Sequence, residues 1–232
     1  MISWAGKSSD SCNVVVQHYP NRPLPRRKYE TVSIPGRNGN LIFSQDAFDN
    51  VTQEYDIYIS AERPKLPTVA RKVAEWLLKP GYNVLFDSYE PTIFRLAYYS
   101  GEEDIENVFN RFGRMKISFS CKPQRFLLTG EDPVTMNAGG QIFNPTSFRA
   151  KPIIRVNGNG NGTLTVGSLT CQLTGISEFI TIDSELQDCY KNLQNENAKF
   201  TGEFPVFEEG LNDISWTGGI TGVVITPRWW ML

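Results

Sequence analysis

One histidine, His18, in 232 residues leaves little room for imidazole chemistry. Ser-His-Asp or Cys-His catalysis needs an imidazole held against a nucleophile, and His18 stands beside a proline-rich stretch that reads as surface loop. The four cysteines, Cys12, Cys121, Cys171 and Cys189, are too widely spaced for a CxxC pair. With a single histidine beside them they make no metal-ligand set. GxSxG, HExxH, Walker A and GxGxxG are also missing. No enzyme, cofactor or metal is therefore expected. The net charge of −2 supplies no basic excess to neutralise phosphates, so tight nucleic-acid binding is not expected either. No apolar run approaches the ~18 residues that cross a bilayer, which argues against membrane insertion. Met1 to Asp10 carries neither a basic nor an apolar leader region, so folding in a cytoplasm with reduced cysteines is the expectation.

What is present is β-sheet material. Hydrophobic residues at 40% suffice for a core, and nineteen glycines with fourteen prolines imply many turns. From Arg114 to Lys122, the apolar Met115, Ile117, Phe119 and Cys121 alternate with Arg114, Lys116, Ser118 and Ser120. This two-residue period marks a half-buried strand, punctuated by Gly113 and Pro123. It is the closing strand of a first domain, residues 1–130. Within that domain Val51, Tyr55, Ile57 and Ile59 line the buried side of another strand. Leu66, Val69, Ala70, Val73, Trp76 and Leu77 then recur at helical spacing, predicting one amphipathic helix over 66–78. Pro67 suits its first turn and Pro80-Gly81 its end. The segment from Tyr19 to Lys28 is proline-rich and basic, and reads as an extended stretch. After it, Tyr29 to Ile34 alternates and meets Pro35-Gly36-Arg37-Asn38-Gly39-Asn40. That hexapeptide lacks the Lys-Ser/Thr and following helix of a phosphate loop, so it predicts the tip of a hairpin over 34–43.

Residues 131–148 read as a linker, broken by Pro133, Gly139-Gly140 and Pro145. A second β domain, 149–232, follows. Its run Asn157-Gly158-Asn159-Gly160-Asn161-Gly162 predicts a hairpin turn returning through Thr163 to Val166. Asp183, Glu185 and Asp188 raise the question of a hydrolytic carboxylate pair, but neighbours at a strand end do not face each other across a substrate. Asp87, Glu90, Glu102, Glu103 and Asp104 lack the order of a calcium loop. Trp216, Trp229 and Trp230 are candidate stacking platforms for sugar rings or for a partner.

Ile34-Pro35-Gly36-Arg37-Asn38-Gly39 resembles the early hairpin motif of the distal tail protein (Dit) family of long-tailed phages and prophages of Gram-positive bacteria. Leu85 to Tyr89, Phe119 to Pro123, Asn144-Pro145-Thr146 and Lys151 to Ile154 are also similar to that family. So are Gly160 to Thr163, Ile182 to Glu185, Phe204-Pro205, Gly210-Leu211-Asn212 and Pro227 to Trp230, in the right order over nearly the whole chain. The resemblance implies a mainly β protein with one helix. Its N-terminal sandwich or barrel-like domain would form a six-fold ring, and its C-terminal domain would be a galectin-like β-sandwich. It further implies a virion protein, assembled in the bacterial host cytoplasm, joining the tail tube to the baseplate hub or tail-associated lysin. Tape measure protein and, in some members, receptor-binding proteins are the further partners. DNA would pass through the lumen without tight binding.

A ring subunit needs rigid sheets and exposed edges rather than chemistry, in agreement with the residue-level reading. Arg26, Arg27, Pro35, Gly36, Arg37 and Gly39 are the candidate subunit-interface residues. The rival reading is a lectin-like module that uses Trp216, Trp229 or Trp230.

Overall fold

The computed structural model describes residues 1–60, 66–101, 106–108 and 112–232. It is mainly β with one helix, and falls into two units, Met1–Arg125 with Leu232, and Phe126–Met231. Among the described residues no helix is long and apolar enough to cross a membrane. Glu102, Glu103 and Asp104 lie outside the described residues.

The first unit contains β1 (Ile2–Trp4), β2 (Lys7–Ser8), β3 (Val14–Val16), β4 (Arg27–Ser33), β5 (Asn40–Phe48) and β6 (Val51–Ser60). The helix α1 (Leu66–Leu77), β7 (Asn83–Asp87), β8 (Ile93–Tyr99), β9 (Glu106–Val108) and β10 (Phe112–Leu127) complete it. Its main sheet runs β2-β1-β7-β8-β10-β6-β3. The alternation read in the sequence decides which face is wet. Ile117, Phe119 and Cys121 of β10 are fully buried, as are Ile57 and Ile59 of the antiparallel neighbour β6. The helix covers this face with Val73, Trp76 and Leu77, each almost wholly buried. Its other side, including Arg71, Lys72 and Glu75, is exposed. Trp4 and Phe119 pack with ring centroids 4.8 Å apart at the centre of this core.

The second unit is built on three long strands. It comprises β11 (Val134–Met136), β12 (Gly140–Asn144), β13 (Ile153–Val166), β14 (Leu169–Asp183) and β15 (Asp188–Lys191). Then come β16 (Gln194–Asn195), β17 (Phe200–Gly202), β18 (Gly210–Thr226) and β19 (Trp230–Met231). The sheet order is β11-β18-β13-β14-β15-β16, with β12 also on β18 and β17 on β14. Inward side chains, among them Ile154, Val156, Leu164, Ile182, Phe207, Val223 and Ile225, form one core.

Two expectations are corrected here. Residues 131–148 are not a linker: β11 and β12 lie within them and pair with β18. Nor does the Asn157–Gly162 run turn back. It continues as strand, with register shifts between Asn157 and Gly162, and the chain reverses only after Val166. The physical reason is close approach. A Cβ on Gly219 would stand 1.8 Å from the Asn159 carbonyl oxygen, and one on Gly162 2.5 Å from Ile220 Cγ1. These glycines let β13 and β18 meet across a bulge, where backbone comes too near for side chains.

Candidate assembly interface

Among the described residues, β4 and β5 pair only with each other, as a two-stranded sheet separate from the main one. The register sets Tyr29 opposite Ser44, Glu30 opposite Phe43, Thr31 opposite Ile42, Val32 opposite Leu41 and Ser33 opposite Asn40. Directly opposed residues share a face, so Tyr29, Thr31 and Ile42 lie on one side and Val32, Leu41 and Phe43 on the other. Both sides meet solvent. Tyr29 is 53% exposed, Ile42 60% and Phe43 50%, with Val32 and Ile34 close behind. Among the described residues both edges of the hairpin are unpaired as well.

The local sequence explains the shape. Gly36 and Gly39 both adopt φ of +80°, the left-handed region that the Ile34–Asn40 tip requires. Arg37 N–H donates to the Ile34 carbonyl at 3.1 Å and closes the tip. At the base, the Asp49 N–H donates to the Arg26 carbonyl at 2.9 Å. Arg27 lies 4.7 Å from the Phe48 ring centroid and 3.5 Å from Asp46 Oδ1. Arg27 is thus committed to the hairpin's own base. The Arg26 side chain, Pro35, Gly36, Arg37 and Gly39 are all exposed.

A strap, residues 17–26, leads from β3 into the hairpin. Tyr19 packs on Tyr89 at 4.7 Å, and its hydroxyl donates to the Tyr89 carbonyl at 3.3 Å. Gln53, 3% exposed, donates from Nε2 to the Asn21 carbonyl at 2.9 Å. Arg22 pairs with Glu90, which also meets Arg95 and Arg125. Reasoning from sequence missed this cluster, although a signal was there. Arg95 occupies the inward register of Ile93, Arg95 and Ala97, and Gln53 that of Val51, Gln53 and Tyr55. A polar residue on the buried side of a strand needs a partner.

The other candidates resolve as structure. Trp229 is 5% exposed, with its ring 5.4 Å from Phe207, so it is a core residue and offers no face to a sugar. Trp230 stacks on Phe148 at 4.4 Å and donates to the Arg149 carbonyl at 2.9 Å. Trp216 is half-buried against the same core. Asp183 receives a two-pronged contact from Arg228, at 2.7 and 3.0 Å, and accepts from the N–H groups of Glu185 and Leu186. Burial pulls its carboxyl upward, but the Arg228 bond and the turn N–H groups outweigh it and hold it below the usual range. Glu185 pairs with Lys151 at 3.1 Å. These carboxylates are committed to a turn and to the cations Arg228 and Lys151. His18 is exposed, and among the described residues no cluster of three or more ligating side chains could hold a metal ion. Burial pushes the thiols of Cys121 and Cys171 up to about 11 and that of Cys189 up to about 12, so they are inert packing groups at neutral pH.

Comparison with known proteins adds three findings. Residues 9–121 match the family model described as the phage tail protein RIFT-related domain. A search of curated proteins returns no significant match. Among solved structures, the chain resembles the Dit protein of phage SPP1, with a TM-score of 0.78 and 15% sequence identity. The likeness covers 100% of this chain and 98% of that one. That protein is described as a paradigm of the hub adsorption apparatus in phages infecting Gram-positive bacteria. At this identity the likeness shows a shared fold, a distal-tail-protein fold carried by both units.

Proposed function

We propose that this chain, whose residues 9–121 match the phage tail protein RIFT-related domain model and whose fold is like that of a distal tail protein, is a structural subunit of a phage tail hub. Copies close into a six-fold ring that joins the tail tube to the baseplate hub or tail-associated lysin in the virion. The observation that carries this reading is the β4–β5 hairpin, whose apolar side chains are exposed on both faces and whose strands, among the described residues, pair with nothing else. An isolated two-stranded hairpin is marginal in water. Burying one large apolar side chain contributes roughly 1.5–3 kcal/mol, so several together favour docking on a neighbour. A patch that meets a different patch on the next copy makes a head-to-tail contact, which closes as a ring when the rotation allows.

Arg26 and Arg37 are exposed, and in this proposal they pair with acids of the neighbouring copy. Tape measure and receptor-binding proteins are further partners in this proposal. Electron microscopy of the full chain, alone and with tube and hub proteins, tests it. Six-fold rings that stack on tube ends support the reading, and a chain that neither forms rings nor binds those components refutes it.

A further inference from the structure

The Glu90 carboxylate answers three guanidiniums. Arg22 approaches its Oε1 to 3.2 Å, Arg95 its Oε2 to 4.0 Å, and Arg125 donates to Oε1. The three cations lie at different depths. The side chains of Arg95 and Arg125, from β8 and β10, are 8% and 18% exposed, whereas that of Arg22, from the strap, is 46% exposed. Arg125 also donates from Nη1 to the Leu232 main-chain oxygen at 3.4 Å and Arg22 from Nη2 to the Tyr19 hydroxyl, while the buried Nε of Arg125 has no hydrogen-bond partner. Among the described residues, Asp87 is the other acid in the pocket that Arg22, Gln53, Glu90 and Arg95 line. Three like charges share the Glu90 carboxylate, so its pull on Arg22 is opposed by Arg95 and Arg125. Such an attachment holds, yet gives way easily where solvent and salt reach it. Past Arg22, Leu24 is 84% exposed, and among the described residues the next hydrogen bond is the Asp49–Arg26 one at the hairpin base.

We infer that Glu90 is a latch: through Arg22 it fastens the 17–26 strap to the first unit's sheet and so fixes the base from which the β4–β5 hairpin projects. Arg95 and Arg125 are its permanent side, and Arg22 is the side that releases. The consequence for assembly rests on the ring reading above, because a fixed hairpin base reduces the ordering cost of docking. The latch itself is a property of a single chain.

A nitroxide at Leu24→Cys in the full chain reads strap mobility, the four native cysteines being buried. A second label at Leu193→Cys, in the other unit and fully exposed, serves as control. Ile42→Asp with Phe43→Asp in the background removes any contribution from docking between copies. If copies never dock, that background changes nothing and the latch is read just the same. Arg22→Gln is expected to raise the mobile fraction at position 24 at least about twofold. Raising NaCl from about 0.05 to about 0.5 M should do the same with Arg22 present, and add nothing once it is replaced. The control label should not change. Equal mobility at position 24 with and without Arg22, independent of salt, overturns the latch. Glu90→Gln strands the buried Arg95 and the half-buried Arg125 and risks unfolding, which is why Arg22→Gln decides.

Discussion

Trp4 and Trp76 each reach into the other's element. The Trp76 indole N–H donates to the Trp4 carbonyl at 3.2 Å, and the Trp4 indole N–H donates to the Leu77 carbonyl at 3.4 Å. Both rings are almost wholly buried, so these bonds fasten α1 to the first strand in a place water does not reach. Trp76→Ala should therefore cost about 3–5 kcal/mol, and Trp76→Phe a smaller amount, near the ~1–3 kcal/mol of a stranded buried acceptor. Urea unfolding of the two variants checks the order.

The Asp183–Arg228 pair predicts acid sensitivity in the second unit. The folded carboxyl lies below its ordinary value, so its stabilisation is complete above the unfolded value and is lost as pH falls through the folded one. Thermal melts should accordingly show the second unit weakening below about pH 4. Arg228→Gln leaves a carboxylate of a 2%-exposed residue without its cation and should cost about 3–5 kcal/mol at neutral pH. Acidification should narrow the gap between variant and wild type, because protonation removes the stranded charge. A gap that widens in acid contradicts the assignment.

Gly219→Ala tests the bulge. Its new methyl would sit 1.8 Å from a backbone oxygen, which no side-chain rearrangement relieves. A loss of about 1–3 kcal/mol or more is expected by denaturant titration, localised by amide exchange to β13 and β18.

The thiols give a chemical check. Cys121, Cys171 and Cys189 are buried and held protonated, so a thiol reagent at pH 8 should modify them only as fast as the fold opens. Rapid modification of the native protein would contradict the packing described.

These residues also show where sequence reading succeeds. Alternation in β6 and β10 is legible because one face of the sheet is buried, and a two-residue period then records that burial directly. The hairpin tip is legible for a similarly local reason, since Gly36 and Gly39 satisfy a backbone demand within six residues. The second unit misleads because Asn-Gly pairs mark turns when they stand between isolated strands. Here Gly158, Gly162 and Gly219 instead answer a contact between β13 and β18, about sixty residues apart, which no local window contains. The Glu90 cluster is dispersed over positions 22, 90, 95 and 125. Only the inward register of Arg95 and Gln53 hints at it. Trp229 and Trp230 look alike in sequence, yet one enters the core and the other stacks on Phe148, a difference set by tertiary packing.

The most direct test of the central claim is the mass of the full chain by light scattering, with and without Ile42→Asp and Phe43→Asp. The two substitutions charge opposite faces of the hairpin while touching no core residue. The account predicts that the unsubstituted chain forms a particle six times the 26.2 kDa subunit, and that the substituted one is a folded monomer. An identical mass for both, whether six subunits or one, would contradict it.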